Sequence, residues 1–277
     1  MDARIGKFSV RDGTELYYEH WHLPNFKAVI VLVHGLGDHC GRYGSFVDFF
    51  TKQGYRVCVY DQRGHGKSGG KRAYADRMEV LLDDLDQFVL FSRRETKQEC
   101  PWFIVGHSFG GQLILNFLAR RPTLFHAACA TSPNLQVAFE IPEWKKRLAR
   151  MVLSFWPTMR FKNLTKPEWI SHDAKAVEAF QKDPLVSLFV TAQLGDEILK
   201  NQTVIFSLCT ILHTPLLLLH GEDDLICAAS ATKQFYNQLV LAEKGLKIYE
   251  GMYHELFNEV NKQEVFEDVD AWFKKCI

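Results

Sequence analysis

Gly106-His107-Ser108-Phe109-Gly110 lies between the apolar run Trp102-Phe103-Ile104-Val105 and a helical pattern, Gly111 to Leu118, that halts at Pro122. A buried strand that must become a helix within a residue or two leaves no space for side chains beside the turn, so glycines flank it. The serine between them is then held on a strained turn, its hydroxyl lifted at the end of the sheet and the helix N-terminus aimed at the same point. Two glycines and a serine recur by chance; the strand before them and the helix after them give the motif its meaning.

The rest of the chain supplies a sheet for that turn. Lys7-Phe8-Ser9-Val10 and Glu15-Leu16-Tyr17-Tyr18 flank Asp12-Gly13 and read as a hairpin at a sheet edge. Ala28-Val29-Ile30-Val31-Leu32-Val33 is apolar throughout, as a strand buried on both faces should be, and ends in His34-Gly35-Leu36-Gly37. A short helix, Ser45 to Gln53, precedes the strand Arg56-Val57-Cys58-Val59-Tyr60 and the glycine-rich loop Asp61 to Gly70. From Asp76 a long helix carries Met78, Leu81, Leu82, Leu85, Phe88 and Val89 at helical spacing. After the serine turn come a small-residue strand, Ala127 to Thr131, two late strands, Pro215 to Leu219 and Leu246 to Tyr249, and a final amphipathic helix with Val265, Phe266, Val269, Trp272 and Phe273.

Strands alternating with helices predict an α/β fold with a mostly parallel sheet covered on both faces and the functional loops at the carboxyl ends of the strands. Between Pro133 and Thr214 the alternation fails, with Trp144, Trp156 and Trp169 in an irregular helical pattern and no convincing strand. The expected organisation is a core formed by 1–134 and 214–277, with 135–213 inserted as a helical cap over the strand ends.

A serine hydroxyl becomes a nucleophile only when a base takes its proton and a third group orients the base. On a strand–turn–helix elbow the chain order is serine, acid, histidine. Leu219-His220-Gly221-Glu222-Asp223-Asp224 closes one late strand and Glu250-Gly251-Met252-Tyr253-His254 closes the next. We take Asp224 as the acid, because the turn begun at Gly221 must finish before a carboxylate reaches the neighbouring loop; Glu222 and Asp223 are the lesser candidates. His254 is the base, while His20, His22, His126, His172 and His213 read as structural loop or core residues. The two donors for the tetrahedral oxyanion are expected to be the backbone N–H groups of Phe109 and Leu36, with Gly35 and Gly37 letting the second loop approach. Gly64-His65-Gly66 lacks the spacing of a phosphate-cradling loop. An aspartate, not Ser108, would be needed for a halogen- or epoxide-directed hydrolase.

Composition excludes some classes. The chain has 277 residues, 47% of them hydrophobic, which suits one globular domain with an insertion. Lys plus Arg equals Asp plus Glu at 33 each, so no global charge attracts nucleic acid or an anionic membrane. Seven cysteines without metal-ligand spacing read as reduced thiols of a cytoplasmic protein, Cys227 among them as a buried bystander near the acid. The N-terminus has no signal-peptide pattern and no apolar run is long enough to span a bilayer. No metal or organic cofactor is expected, and nothing requires a dimer.

Ser108, Asp224 and His254, together with His34 through Tyr43, Asp61 through Ser68, Tyr249 through His254 and Asp183-Pro184-Leu185-Val186, resemble the α/β-hydrolase fold and, within it, the monoacylglycerol lipase and lysophospholipase-like serine hydrolases. The likeness runs from about Leu16 to the last helix. It implies a cap that forms an apolar acyl tunnel and a mobile lid, with Asp38, Arg42 and His107 near the glycerol end of a substrate. Two positions depart from that pattern: Phe180 stands where such lipases tend to carry a tyrosine, and Phe257 where a second histidine often follows the first. Both would lose hydroxyl-binding partners.

The expected activity is therefore hydrolysis of a medium or long acyl ester, a monoacylglycerol or lysophospholipid. The alternatives are a broad carboxylesterase or amide/peptide hydrolase and, in another class, a noncatalytic α/β-hydrolase-like binding protein. The cap segment includes Trp144–Trp156; on a helix, Ile141, Trp144, Leu148, Met151, Val152 and Phe155 share a face, with Lys145, Lys146 and Arg150 off it. That composition fits either an interfacial helix touching lipid or a cap helix packed on the core.

Overall fold

The computed structural model describes residues 3–276, apart from the side chains of Lys145, Lys146, Ala149 and Arg150, so the charged flank expected for the 144–156 helix lies outside the described residues. The chain runs β1 (Ala3–Ser9), β2 (Glu15–Trp21), β3 (Ala28–Val33), α1 (Gly44–Lys52), β4 (Tyr55–Tyr60), α2 (Met78–Glu95), β5 (Trp102–His107), α3 (Phe109–Arg120) and β6 (Ala127–Thr131). It continues through α4 (Glu143–Phe155), β7 (Arg160–Lys162), α5 (Ala174–Lys182), β8 (Phe189–Thr191) and α6 (Ala192–Val204). It closes with β9 (Leu216–Gly221), α7 (Ala229–Gln238), β10 (Lys244–Tyr249) and α8 (Lys262–Lys275).

Eight strands form one sheet in the order β1-β2-β4-β3-β5-β6-β9-β10. The β1–β2 hairpin is antiparallel and sits at the edge, as Asp12-Gly13 predicts; Gly13 takes φ 82° and the Asp12 carboxylate accepts the Thr14 N–H at 3.0 Å. Along that sheet β2 and β4 also pair antiparallel, and the pairings from β4 through β3, β5, β6 and β9 to β10 are all parallel. Because β4 lies on one side of β3 and β5 on the other, the strand order reverses at β3–β5 and opens a crevice beyond their carboxyl ends.

The apolar strands divide their side chains between two cores. Val29, Val31 and Val33 pack with Leu81, Leu85 and Phe88 of α2 on one face of the sheet. Ile30 and Leu32 pack with Phe46 and Phe50 of α1 and with Val265, Val269 and Phe273 of α8 on the other. Two-sided burial is why these strands read as unbroken hydrophobic runs. Each fully buried Leu, Ile, Val or Phe contributes about 1.5–3 kcal/mol against exposure.

The expectation of no strand between Pro133 and Thr214 is corrected: β7 and β8 pair antiparallel, with Arg160 opposite Thr191 and Lys162 opposite Phe189. Three residues per strand are too few to display an alternating pattern, and their partners lie about thirty positions away, so only tertiary contact reveals them. α6 joins the core, placing Leu194 and Ile198 in the first cluster together with Ile205, Cys209 and Leu212.

The serine turn is set by backbone contacts. Ser108 holds φ 54° and ψ −118°. A Cβ on Gly106 would stand 2.4 Å from Gly110 O, and one on Gly110 would stand 2.2 Å from Val33 O and 2.5 Å from His34 O. Neither neighbour is a side chain that can swing away. Gly110→Ala should therefore lower unfolding stability by about 3 kcal/mol, read from urea denaturation; a variant within about 0.5 kcal/mol of wild type would show that the turn has slack the packing does not indicate.

Candidate active site

Three strand-end loops bring distant side chains into a line. His254 Nε2 lies 2.9 Å from Ser108 Oγ and His254 Nδ1 lies 2.7 Å from Asp224 Oδ2. Ser108 is the N-cap of α3, yet its side chain makes no capping bond, which leaves the hydroxyl to His254. Its backbone is fixed on both sides: Ser108 N–H donates to Thr131 O at 2.9 Å, and Ser108 O accepts from Gln112 and Asn134 N–H at 3.0 Å each.

Of the three acids after Gly221, Glu222 and Asp223 face solvent and Asp224 is buried. Gly221 makes the approach of the two loops possible, since a Cβ there would stand 2.3 Å from Tyr253 O and 2.4 Å from Met252 O. Asp224 Oδ1 accepts the N–H groups of Ile226 and Cys227 at 2.8 and 2.9 Å, so the turn itself orients the carboxylate. His220, which sequence analysis assigned no role, puts Nε2 3.0 Å from Asp224 Oδ2 and 3.1 Å from Cys227 O, and Nδ1 2.8 Å from Thr232 Oγ1. Both neighbours of Nε2 are acceptors, so Nε2 carries the proton and Nδ1 accepts from the threonine. One carboxylate oxygen thus faces two imidazoles.

Electrostatics favour a charged acid beside a proton-accepting histidine. Burial works to raise the Asp224 pKa, but the charge of His254 and the bonds from both histidines hold it well below the usual carboxylate range. For His254 burial works downward, and Asp224, with smaller contributions from Glu255 and Asp38, pushes it above its usual 6.5. His107, whose ring centre is 4.8 Å from that of His254, is pushed down to about 3 by burial and by His254, so it stays neutral.

The loop after β3 passes over this line. A Cβ on Gly35 would touch Ser108 Cβ at 3.3 Å and His107 Cδ2 at 3.4 Å. Gly37 has φ 72°, its carbonyl accepts the Ser187 N–H at 2.8 Å, and it could carry no Cβ because Ser187 O would be 2.4 Å away. Asp183 secures the same segment, with His39 Nε2 at 2.8 Å from its Oδ2 and Leu185 N–H donating to its Oδ1 at 2.8 Å. The Asp61–Gly70 loop is likewise structural: Asp61 accepts Cys40 and Lys67 N–H at 2.7 Å each and occupies the space a Gly66 Cβ would need.

A cavity of about 1030 Å³ opens at Ser108 and His254. Ile141, Leu148, Phe161, Leu164, Val190 and Leu199 supply apolar wall from the segment between β6 and β9, whereas Leu36, Asp38, Arg42, His107 and Glu255 supply wall from the strand-end loops. Phe180 also lines it, its ring 4.8 Å below the Arg42 guanidinium. Phe257 is not brought there; it packs in the second core against Phe46 at 4.9 Å and Phe266 at 5.8 Å. Cys227 lines the cavity but is 1% exposed, and burial followed by the Asp224 charge pushes its thiol well up, which keeps it protonated.

Glu255 and Glu259 carry more of this architecture than the sequence indicates. Glu255 N–H donates to Ile170 O at 2.7 Å, and Glu259 accepts from Tyr253 N–H at 2.8 Å and His172 N–H at 3.2 Å, so both pin the His254 loop to the segment above it. The Ser108, His254 and Asp224 geometry has a direct spectroscopic consequence. His254 should titrate above 6.5 in imidazole NMR, and Asp224→Asn, which removes the dominant upward influence, should move the midpoint below it. An unchanged midpoint would mean that Asp224 does not act on the ring.

Residues 24–261 match the family described as Hydrolase_4, serine aminopeptidase, S33. An abhydrolase domain-containing protein of Dictyostelium discoideum is 33% identical over all of this chain, which spans only 30% of that relative's length. The monoacylglycerol lipase of Mycolicibacterium smegmatis is 27% identical, over 94% of this chain and 93% of its own. The crystal structure of Paleococcus ferrophilus monoacylglycerol lipase superposes with a TM-score of 0.82 at 26% identity, each chain fully covered. The expected parallel sheet, the serine turn and this likeness agree: the chain belongs to the Hydrolase_4 family and is a monoacylglycerol lipase-like enzyme of the α/β-hydrolase fold.

Proposed function

We propose that this protein is a carboxylic ester hydrolase in which Ser108, His254 and Asp224 act as a catalytic triad on acyl esters of lipids, a monoacylglycerol or a lysophospholipid. The observation that carries the reading is the hydrogen-bonded Ser108–His254–Asp224 line at the mouth of a largely apolar cavity of about 1030 Å³. A cavity of that size holds a long acyl chain.

In this mechanism His254 Nε2 accepts the Ser108 proton as Oγ attacks the ester carbonyl carbon. The oxyanion forms beside the Leu36 and Phe109 backbone N–H groups, which we assign as its donors. Collapse breaks the bond to the alcohol, which takes the proton from His254 and leaves an acyl-Ser108 ester. Water then attacks that ester through the same base, returning Ser108 and releasing the acid. Acyl transfer to water balances without cofactor or metal.

We read 135–213 as the cap over the site, tied to the core by Ser187–Gly37, Thr191–Ala73 and Glu255–Ile170 backbone bonds. The apolar face of α4 is largely open: Trp144 and Leu148 line the cavity yet are 63% and 43% exposed, and Met151, Phe155 and, just past the helix end, Trp156 are 65%, 88% and 63% exposed. No helix among the described residues is long and apolar enough to cross a membrane. From the exposed apolar side chains of α4 we assign it a peripheral contact with a lipid surface, and from the seven free cysteines a location in the cytoplasm. An amide or peptide hydrolase is the second reading, favoured by the family's description as serine aminopeptidase.

Ser108→Ala should reduce ester hydrolysis by about four orders of magnitude and abolish fluorophosphonate labelling; a wild type that is neither labelled nor faster than the uncatalysed reaction would leave a noncatalytic binding role. Because neutral His254 is the working base and its pKa is raised, kcat/KM should fall as pH drops through a value above 6.5; a limb below 6.5 would remove His254 as that base. Replacing Met151, Phe155 and Trp156 by serine should weaken liposome binding more than hydrolysis of a soluble ester. Equal loss of both, or of neither, would refute the membrane assignment.

A further inference from the structure

Arg42 is the cation nearest in sequence to the oxyanion loop, and two carboxylates hold it. Its Nη1 donates to Glu255 Oε1 at 2.8 Å and to Asp38 Oδ1 at 3.1 Å, and its Nη2 donates to Glu255 Oε2 at 2.7 Å. The fork onto Glu255 is the bidentate geometry in which a guanidinium would otherwise grip a phosphate. All three side chains are at least nine-tenths buried, at 8%, 7% and 7% exposure for Arg42, Asp38 and Glu255. The cluster is braced from several directions. Tyr43 OH donates to Asp38 Oδ2 at 2.8 Å, His39 N–H to Asp38 Oδ1 at 2.8 Å, and Asn258 Nδ2 to Glu255 Oε2 at 2.8 Å.

Two carboxylates against one guanidinium leave one net negative charge. All three residues line the cavity beside His107, Ser108 and His254, and both carboxylates act on His254 strongly enough to help raise it. Neutral His107 adds no compensating charge. The other charged side chains of the wall, Lys162, Asp196 and Lys200, come from β7 and α6, where Lys200 is paired with Asp196. An apolar wall on the β6–β9 segment takes the acyl chain, which leaves the leaving group to this polar wall.

The geometry points to Glu255 as a specificity-determining residue: by occupying Arg42 and leaving the polar wall net negative, it makes the site select uncharged or cationic alcohol head groups and reject phosphate-bearing ones. This rests on the ester hydrolase reading and narrows it, separating acylglycerols from anionic lysophospholipids. A phosphate at this wall would have to break a buried bidentate pair or bear repulsion from two carboxylates. In a poorly hydrated site one unit of charge at such range changes affinity by about a hundredfold.

The test uses the whole chain and two non-hydrolysable ethers with the same alkyl tail, 1-O-alkylglycerol and 1-O-alkylglycerol 3-phosphate, measured by calorimetry beside the rates of the matching esters. The neutral ether should bind at least about a hundredfold tighter, with the same preference in kcat/KM. Glu255→Gln should narrow both ratios about tenfold by improving the phosphate compound. Equal or tighter binding of the phosphate ether to wild type overturns the inference and makes Lys162 the reader of the head group; this arm needs no variant to fold. A ratio unmoved in a folded Glu255→Gln protein also overturns it. Absence of Ser108-dependent ester cleavage would instead defeat the hydrolase reading, while the ether ratio still decides this one.

Discussion

The structure depends on how closely backbones approach one another beyond the carboxyl ends of β3, β5, β9 and β10. Gly110 lies against the carbonyls of Val33 and His34, Gly221 against those of Tyr253 and Met252, and Gly37 against that of Ser187. At each point a methyl group would meet a carbonyl oxygen near 2.2–2.5 Å, well inside contact distance. Glycine is needed there because space is absent, not because the chain must be flexible. Once those approaches are made, Ser108, Asp224 and His254 come from three loops into a hydrogen-bonded line with little further adjustment.

The same closeness fastens the segment between β6 and β9 to the core. Its contacts fall on the functional loops: Ser187 on the Leu36–Gly37 loop, Asp183 on His39, Ile170 on Glu255, and His172 on Glu259. α6 is tied more deeply, through Leu194 and Ile198 in the core beside the sheet. A change in this segment therefore reaches the loops around Ser108 and His254 through direct bonds. Met151 and Phe155 of α4, and Trp156 just past its end, have exposed side chains, so this outer surface answers to solvent or to a lipid phase rather than to packing.

Charge in the site is divided by partner rather than by burial. Asp224, Asp38 and Glu255 are all buried acids, yet each is stabilised differently: Asp224 by two histidines and two backbone amides, Asp38 by Arg42, Tyr43 and a backbone amide, Glu255 by the Arg42 fork and Asn258. Breaking one partner of such a group leaves an unpaired charge in a poorly hydrated place, which is costly. Among the described residues His107 makes one side-chain hydrogen bond, with Thr131 Oγ1 at 3.2 Å, and stays neutral, so it contributes shape and polarity without charge.

Sequence determined what depends on local pattern. Unbroken apolar runs gave the strands of a two-faced sheet, Asp12-Gly13 gave the edge hairpin, and glycines around a serine between strand and helix gave the turn at Ser108. The chain order of acid and histidine narrowed the partners to Asp224 and His254, and the Gly221 turn favoured Asp224 over Glu222 and Asp223. Tertiary structure decided what depends on partners far apart in the chain. The Arg42–Glu255 fork joins positions 213 residues apart, and β7 pairs with β8 over only three residues each. It also separated Phe180, on the cavity wall, from Phe257, in the core, although both were expected at the substrate. His220 and Glu259 belong to this second group: a buried histidine or glutamate has the same letter whether it fills space or holds another residue in place, and only its neighbours tell the two apart.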